Sequence, residues 1–205
     1  GARLKGFSLG FEGLIADWYW MRSLQYIGEK VVKSREAGQE INLENLTSLN
    51  PRLLYPLLDN ATDLDPHFMA VYSYGAIVLP AIDPDQAIKI AEKGIANNPG
   101  EWRLSQHLGY IYWRLGRFEK AAEVYAEGAA IPGAPPFFKM MTAQMKSQGG
   151  SRETARAMYR QMFAEAGDSQ TREIAERRLL QLDFFEERDA VRPALAGFKA
   201  KNNPC

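Results

Sequence analysis

Two histidines, one cysteine and one pair of glycines are the residues of this 205-residue chain from which a catalytic argument could begin. His67 and His107 are its only imidazoles, the groups best suited to proton transfer or metal ligation near neutral pH. They stand forty positions apart, in corresponding parts of adjacent helical segments, too widely separated to be read as joint ligands of one metal ion. Each reads as a helix-surface residue. Cys205, the single cysteine, excludes an internal disulfide and a cysteine cage for zinc. Gly149-Gly150 lacks the lysine and the preceding strand that a phosphate-binding loop requires. With no nucleophile elbow and no histidine-based zinc motif, the sequence points away from an enzyme and implies no cofactor and no metal.

Composition narrows the partners. Lys and Arg number 25 and Asp and Glu number 25, so the excess of positive charge expected of a nucleic-acid binder is missing. The longest apolar run, residues 76–82, is far short of the roughly 20 residues that cross a bilayer, and a soluble chain is expected. The chain begins at Gly1 without a methionine. A signal peptide or membrane anchor upstream of Gly1 is therefore an expectation, and an envelope or periplasmic location is favoured over a cytoplasmic one.

The elements that would position a binding surface are helices. Asn50-Pro51, Asp65-Pro66, Asp83-Pro84 and Asn98-Pro99 each offer a side-chain acceptor followed by a proline, a helix-start signal. Gln86 and Glu101, three residues after Asp83 and Asn98, complete possible capping boxes. Gly116 and Gly150 suit the left-handed residue that ends a helix. They are 34 positions apart. The same interval separates Tyr74-Gly75, Leu108-Gly109 and Thr142-Ala143, and also Ala87, Ala121 and Ala155. A period of this length signals a helical repeat array.

Aligned on that period, helix pairs are expected at about 67–80 with 85–97, 102–115 with 118–130, and 136–148 with 151–165. The second unit carries Leu108, Gly109, Tyr112, Ala121, Tyr125, Gly128 and Gly133; the first carries Tyr74, Gly75, Val78, Ala87, Ala91, Gly94 and Pro99. The third carries Thr142, Ala143, Ala155, Tyr159, Met162 and Gly167, with Lys146 departing from an otherwise apolar position. In these residues the chain resembles the tetratricopeptide repeat, over about half its length. The resemblance implies an all-α superhelix of helix pairs, in which small residues allow close crossing and Tyr125 and Tyr159 fill the space toward the next unit. It also implies a concave face on the first helices. Met69 and Tyr72, with Ala76, Leu79 and Pro80, would line it in the first unit; Arg103, Gln106, Tyr110, Trp113 and Arg114 in the second; Phe137, Met140 and Gln144 in the third. Aromatic, methionine and arginine side chains together suit recognition.

Outside the three units (67–100, 101–134 and 135–167), residues 1–66 are expected to form a divergent helix pair interrupted by an insertion at 33–49 with a short helical turn. Its first helix, about 11–32, carries Leu14, Trp18, Met21, Leu24, Ile27 and Val31 as one apolar stripe, read as core, with a membrane-interface belt of its aromatic residues as the alternative. Segment 10–22 is similar to the opening of bacterial envelope-associated tetratricopeptide proteins in which an anchor precedes the repeats. Residues 168–205 are expected to cap the array with two helices, about 169–182 and 184–201, the second carrying Phe185, Val191, Leu195 and Phe198. The run Glu186-Glu187-Arg188-Asp189 is mixed in sign and reads as a solvated face. The whole is expected to be one structural unit.

The function expected is a non-catalytic scaffold or adaptor that holds a protein or peptide partner, within a bacterial envelope assembly for secretion, a pilus or polymer export. A small-ligand or glycan-binding module that stacks a ring on the groove aromatics is the alternative. The concave face could be open, or filled by the C-terminal helices. The oligomeric state is not legible.

Overall fold

A computed structural model of the chain describes residues 10–202, with side chains described to residue 193. Gly1 and Cys205, and the side chains of Leu195 and Phe198, lie outside the described residues. The described chain is helical, with no strand, and it divides into two compact units, Gly1–Ala134 and Pro135–Cys205.

The first unit holds α1 (Glu12–Glu36), a 3-10 turn at Thr47–Leu49, α2 (Leu54–Leu64), α3 (Met69–Val78), α4 (Pro84–Asn97), α5 (Trp102–Arg114) and α6 (Phe118–Ala129). Each helix packs on its successor, and α3 also packs on α5. Small residues let them approach. A Cβ placed on Gly109 would meet ring atoms of Tyr125 at 2.7 to 2.8 Å, so α5 and α6 can sit at this distance only with glycine there. Ala87 and Ala121 are fully buried at the equivalent contacts of α4 and α6.

Helix ends follow the sequence signals in part. Gly116 and Gly150 both adopt positive φ. After α5, Gly116 N–H donates to the Trp113 carbonyl and Arg117 N–H to that of Tyr112; after the helix that ends at Gln148, Gly150 N–H donates to Ser147 and Ser151 N–H to Lys146. The same double-bonded termination therefore recurs after 34 positions. Asp83 caps α4, its carboxylate accepting from the Asp85 and Gln86 amides. Helices α2 and α3 begin at Leu54 and Met69, a few residues after their expected caps, while α5 begins at Trp102 as the repeat alignment expects but without Asn98 as its cap; Asn50, Asp65 and Asn98 spend their side chains on turns or neighbouring loops. Asn98 donates to the Pro66 carbonyl and meets His67 Nδ1 at 2.9 Å, binding the loop before α3 to the one before α5.

Helix α1 corrects the expected stripe. Its inward face is Ala16 and Ser23, with Trp20 meeting Phe68 and Tyr74 edge-on at 6.1 and 5.1 Å. Leu14, Trp18 and Met21 point outward and are exposed. The insertion has its helical turn, and both Leu46 and Leu49 are buried.

Pro135–Cys205 contains α7 (Phe137–Gln148), α8 (Arg152–Glu165) and α9 (Ser169–Asn202). Ala143, Ala155, Tyr159 and Leu182 form its core, with Met140, Met158, Met162 and Leu179 against it. The two expected terminal helices are one continuous helix, with Pro193 inside it. The charge run is more than a solvated face: Asp189 accepts from Arg152 at 2.7 Å, and Arg156 reaches Asp183 at 2.6 Å and Glu186 at 3.1 Å, tying α9 to α8.

In the first unit Lys93 on α4 bridges two carboxylates of α2, with Nζ 2.6 Å from Asp59 and 2.7 Å from Asp63. For both Lys93 and Asp63 partial burial opposes the charged form, but hydrogen bonds prevail: those to Asp59 and then Asp63 hold the amine above its ordinary 10.5, and the one to Lys93 helps hold the Asp63 carboxyl below its ordinary 3.8. Asp63 therefore stabilises the fold fully above pH 3.8 and loses that contribution as pH falls through its folded value, whereas Lys93 contributes fully below pH 10.5 and loses its share as pH rises through its own. Asp63→Asn is expected to lower stability at pH 7 by about 1 kcal/mol. Native and variant urea midpoints should draw together as pH falls below 3.8 and coincide once the folded Asp63 is protonated; a gap that does not narrow with falling pH contradicts this role.

Candidate functional site

In the first unit the ends of α3 and α5 and the insertion enclose a cleft of about 300 Å³. Ile77, Pro80 and Ala81 form one side, Tyr110, Arg114 and Leu115 the other, and Leu43 and Glu44 of the insertion form a wall. The wall is fixed in place. Leu46 N–H donates to the Ala81 carbonyl at 2.7 Å, Leu46 and Leu49 are buried beneath it, and the Asn42 and Asn45 side chains close turns by accepting from the Glu44 and Thr47 amides.

The rim is unusually apolar for exposed surface: Leu43 is 78% exposed and Ile77 63%, while Tyr110 is 47% exposed and rests edge-on against Trp113 at 5.7 Å. Charge is placed at two points of the cleft. Arg114 stands in the last turn of α5, where a cation complements the helix terminus, and Glu44 stands on the insertion. Among the described residues no ion pair joins Arg114 to a carboxylate. The cleft therefore offers apolar contact with one cationic and one anionic group at its edge.

Of the residues expected to line a concave face, Pro80, Tyr110 and Arg114 line this cleft and Trp113 supports Tyr110. Gln106 is half-buried one turn earlier on α5. Arg103, near the start of the same helix, is engaged elsewhere, its guanidinium 4.5 Å from the centre of the Trp102 ring and 3.5 Å from Glu101.

Met69 is half-buried at the start of α3. Tyr72 is fully buried, together with Leu79, and Ala76 is nearly so. These three belong to the core, because α2, α4 and α5 all pack against α3 and leave Ile77 as its outward residue. The Tyr72 hydroxyl accepts from Asn97, and its ring lies where a Cβ on Gly94 would be, at 2.9 Å.

In the second unit Phe137 stacks at a tilt on Phe138, 4.7 Å between centres, and Met140 joins the core cluster. Gln144 accepts from Arg178 of α9 at 3.3 Å and lines a smaller pocket of about 170 Å³ with Tyr159 and Phe185. Helix α9 thus covers this part of the expected face.

Three buried tyrosines are held as phenols. Burial pushes Tyr125 and Tyr159 up to about 12; burial and then the hydrogen bond to Glu92 do the same for Tyr112. His107 is half-buried, which lowers it below 6.5. Among the described residues no three His, Cys, Asp or Glu side chains converge to hold a metal ion.

Sequence reasoning missed Leu43, Ile77 and Leu115. One signal was available: Leu43, Leu46 and Leu49 recur at helix-like spacing inside an otherwise polar insertion, two of them now anchors and one the wall. No protein-family model matches the chain, and no curated protein matches it. If Leu46 pins the wall, Leu46→Asp should free the insertion. Trypsin cleavage at Arg35 and Arg52 is expected to accelerate about tenfold or more, as local opening becomes easier; an unchanged rate would show that the insertion is held by other means.

Proposed function

We propose that this chain is a non-catalytic binding module built as a helical-repeat array of the tetratricopeptide kind, and that the cleft between α3, α5 and the insertion receives a segment of a protein partner. The repeat reading is supported by the recurrence of the Gly116 and Gly150 terminations and by the small-residue crossings at Gly109, Ala121, Ala143 and Ala155. The binding reading rests on one observation, an apolar rim of Leu43, Ile77 and Tyr110 left open to solvent beside Arg114. Isolated exposed apolar residues are ordinary, whereas several converging on one cleft with a placed charge mark a contact surface.

A peptide suits this geometry better than a sugar. The cleft is open along its rim, and Tyr110 and Trp113 meet edge to face rather than forming a flat platform. An apolar side chain between Ile77 and Leu115 with a carboxylate at Arg114 would satisfy both kinds of contact. Such a module would act as an adaptor, and the likeness of segment 10–22 to envelope-associated repeat proteins places its assembly, by proposal, at a bacterial envelope.

Selection from a random peptide library displayed on phage tests this directly. Peptides enriched on the native chain are expected to combine aliphatic or aromatic residues with Asp or Glu. Fluorescence polarisation should then show Arg114→Glu and Tyr110→Ala weakening binding by tenfold or more, about 1.4 kcal/mol. Equal affinity for all three proteins would remove the cleft as the binding site.

A further inference from the structure

The pocket of about 170 Å³ in the second unit is lined by hydrogen-bond donors that lack an acceptor. The last turn of α7, the middle of α8 and one face of α9 enclose it, with Arg178, Gln181, Leu182 and Phe185 at three- and four-residue intervals along α9. Tyr159 reaches it from α8. Its ring is packed into the core with Ala143, Ala155 and Leu182, and only 1% of the residue is exposed. Among the described residues no hydrogen bond reaches the Tyr159 hydroxyl, whereas every fully enclosed side-chain nitrogen or oxygen has a partner. The remaining exposed surface is therefore the hydroxyl, opening into the pocket that Tyr159 lines. A phenol this deeply buried is ordinarily hydrogen-bonded. Burial holds it at about 12 against the opposing pull of Arg178, so it carries its proton at neutral pH.

Arg178 sets the polarity of the remaining groups. Arginine can only donate, so the amides that meet it turn their oxygens toward it: Arg178 donates to Gln181 at 2.9 Å and to Gln144 at 3.3 Å. Each amide keeps its NH2 for a further acceptor. Among the described residues no carboxylate pairs with Arg178, and no acidic side chain lines the pocket. The nearby acids of α9 are engaged elsewhere, Asp183 and Glu186 by Arg156 and Asp189 by Arg152. The carbonyls at the end of α7 are occupied too, since those of Met145, Lys146 and Ser147 accept from the Gly149, Ser151 and Gly150 amides.

A phenol, a guanidinium without a counter-charge and two amides thus face one small space. An ionised carboxylate, which only accepts and matches the planar guanidinium, satisfies them together. Leu182, buried, and Phe185, half-buried, form an apolar wall of the same pocket. That wall gives nothing to inorganic phosphate but covers a short carbon chain or a ring. Size sets the upper limit: a cavity of about 150 Å³ holds benzene, so this one holds a ligand of roughly six to nine heavy atoms. We propose that the pocket binds a small free organic acid, its carboxylate between Tyr159 and Arg178 and its carbon skeleton on Leu182 and Phe185. This site lies in the other unit from the α3–α5 cleft, and the proposal does not rest on the reading of that cleft.

Titration of the 205-residue chain with benzoate and butyrate, followed by NMR, tests it, with benzamide, butyramide and inorganic phosphate as controls. The acids should bind with a dissociation constant of about 1 mM or tighter, and the amides and phosphate tenfold or more weakly. Tyr159→Phe keeps the ring and removes only the unpartnered hydroxyl, so its thermal midpoint should equal or exceed the native one while benzoate affinity falls about tenfold. Arg178→Met should lose tenfold or more. Arg177→Met, at an exposed neighbour paired with Glu173, and Arg114→Glu should both bind benzoate as the native chain does. Loss of binding in Arg114→Glu would put the acid in the cleft and overturn the proposal. Absence of binding, equal affinity for benzoate and benzamide, phosphate binding as tight as benzoate, or unchanged affinity in Tyr159→Phe would each overturn it as well. So would a lower midpoint for Tyr159→Phe, which would give the hydroxyl a structural partner instead.

Discussion

The ring of Tyr125 occupies the space in which any side chain on Gly109 would have to stand, with ring carbons 2.7 to 2.8 Å from where a Cβ would be. A helix carrying a larger residue at 109 must either move away from α6 or displace a buried tyrosine whose neighbours are already close-packed. The contact sets how near the two helices lie and which way each is rotated. Rotation decides which residues of α5 face outward. With Gly109, Leu108, Ile111 and Tyr112 turned inward, Tyr110 and Arg114 are left on the outside of α5, where the cleft is. Gly75 faces Ile90 and Leu58 more loosely, with 3.1 to 3.4 Å left to a Cβ, and Ala143 and Tyr159 share one core cluster in the second unit.

Polar interactions refine this arrangement without creating it. Lys93 fastens α4 to α2 through Asp59 and Asp63, and Asn98 fastens successive loops through Pro66 and His67. Each satisfies groups that the apolar packing has already brought together, which keeps partly buried charge from destabilising the fold. The insertion is held likewise: Leu46 and Leu49 are buried, and the Leu46 N–H bond to Ala81 fixes the position of Leu43 and Glu44. The two sites that follow differ in kind. One is a concave cleft with charge at its edge, the other a small donor-lined pocket against α9.

The repeat spacing was readable because close helix crossing restricts residue type at single positions, and a left-handed terminator restricts it further. Gly109, Ala121, Gly116 and Gly150 therefore carry their structure openly in the sequence. Facing direction was less readable. Helix α1 is apolar over much of its circumference, and its buried side uses Ala16 and Ser23, small residues that no hydrophobic pattern picks out. Tyr72 reads as surface by repeat position, but α3 is enclosed by three helices, an arrangement of tertiary origin. Asn50, Asp65 and Asn98 look like helix caps, yet their side chains bond within turns or between loops, and each helix starts a few residues after them. Helix α9 runs on through residues 182–184, where two helices were expected to meet, because no glycine or proline stands there to end it. Half of the site was legible: Tyr110, Trp113 and Arg114 came from the concave-face positions that the resemblance to the tetratricopeptide repeat implies, while Leu43 and Ile77 depend on where a folded insertion comes to rest.

The central claim is that the steric lock between Gly109 and Tyr125 holds α5 and α6 in the register on which the cleft depends. A double-mutant cycle in urea unfolding tests it most directly. Gly109→Val alone should destabilise by about 2–3 kcal/mol through overpacking, and Tyr125→Ala alone by about 3–5 kcal/mol through cavity formation. If valine occupies the space vacated by the ring, the double variant should be more stable than the sum of the two by about 1–3 kcal/mol. Additivity within about 0.5 kcal/mol would mean that the two residues do not meet, and would contradict the account.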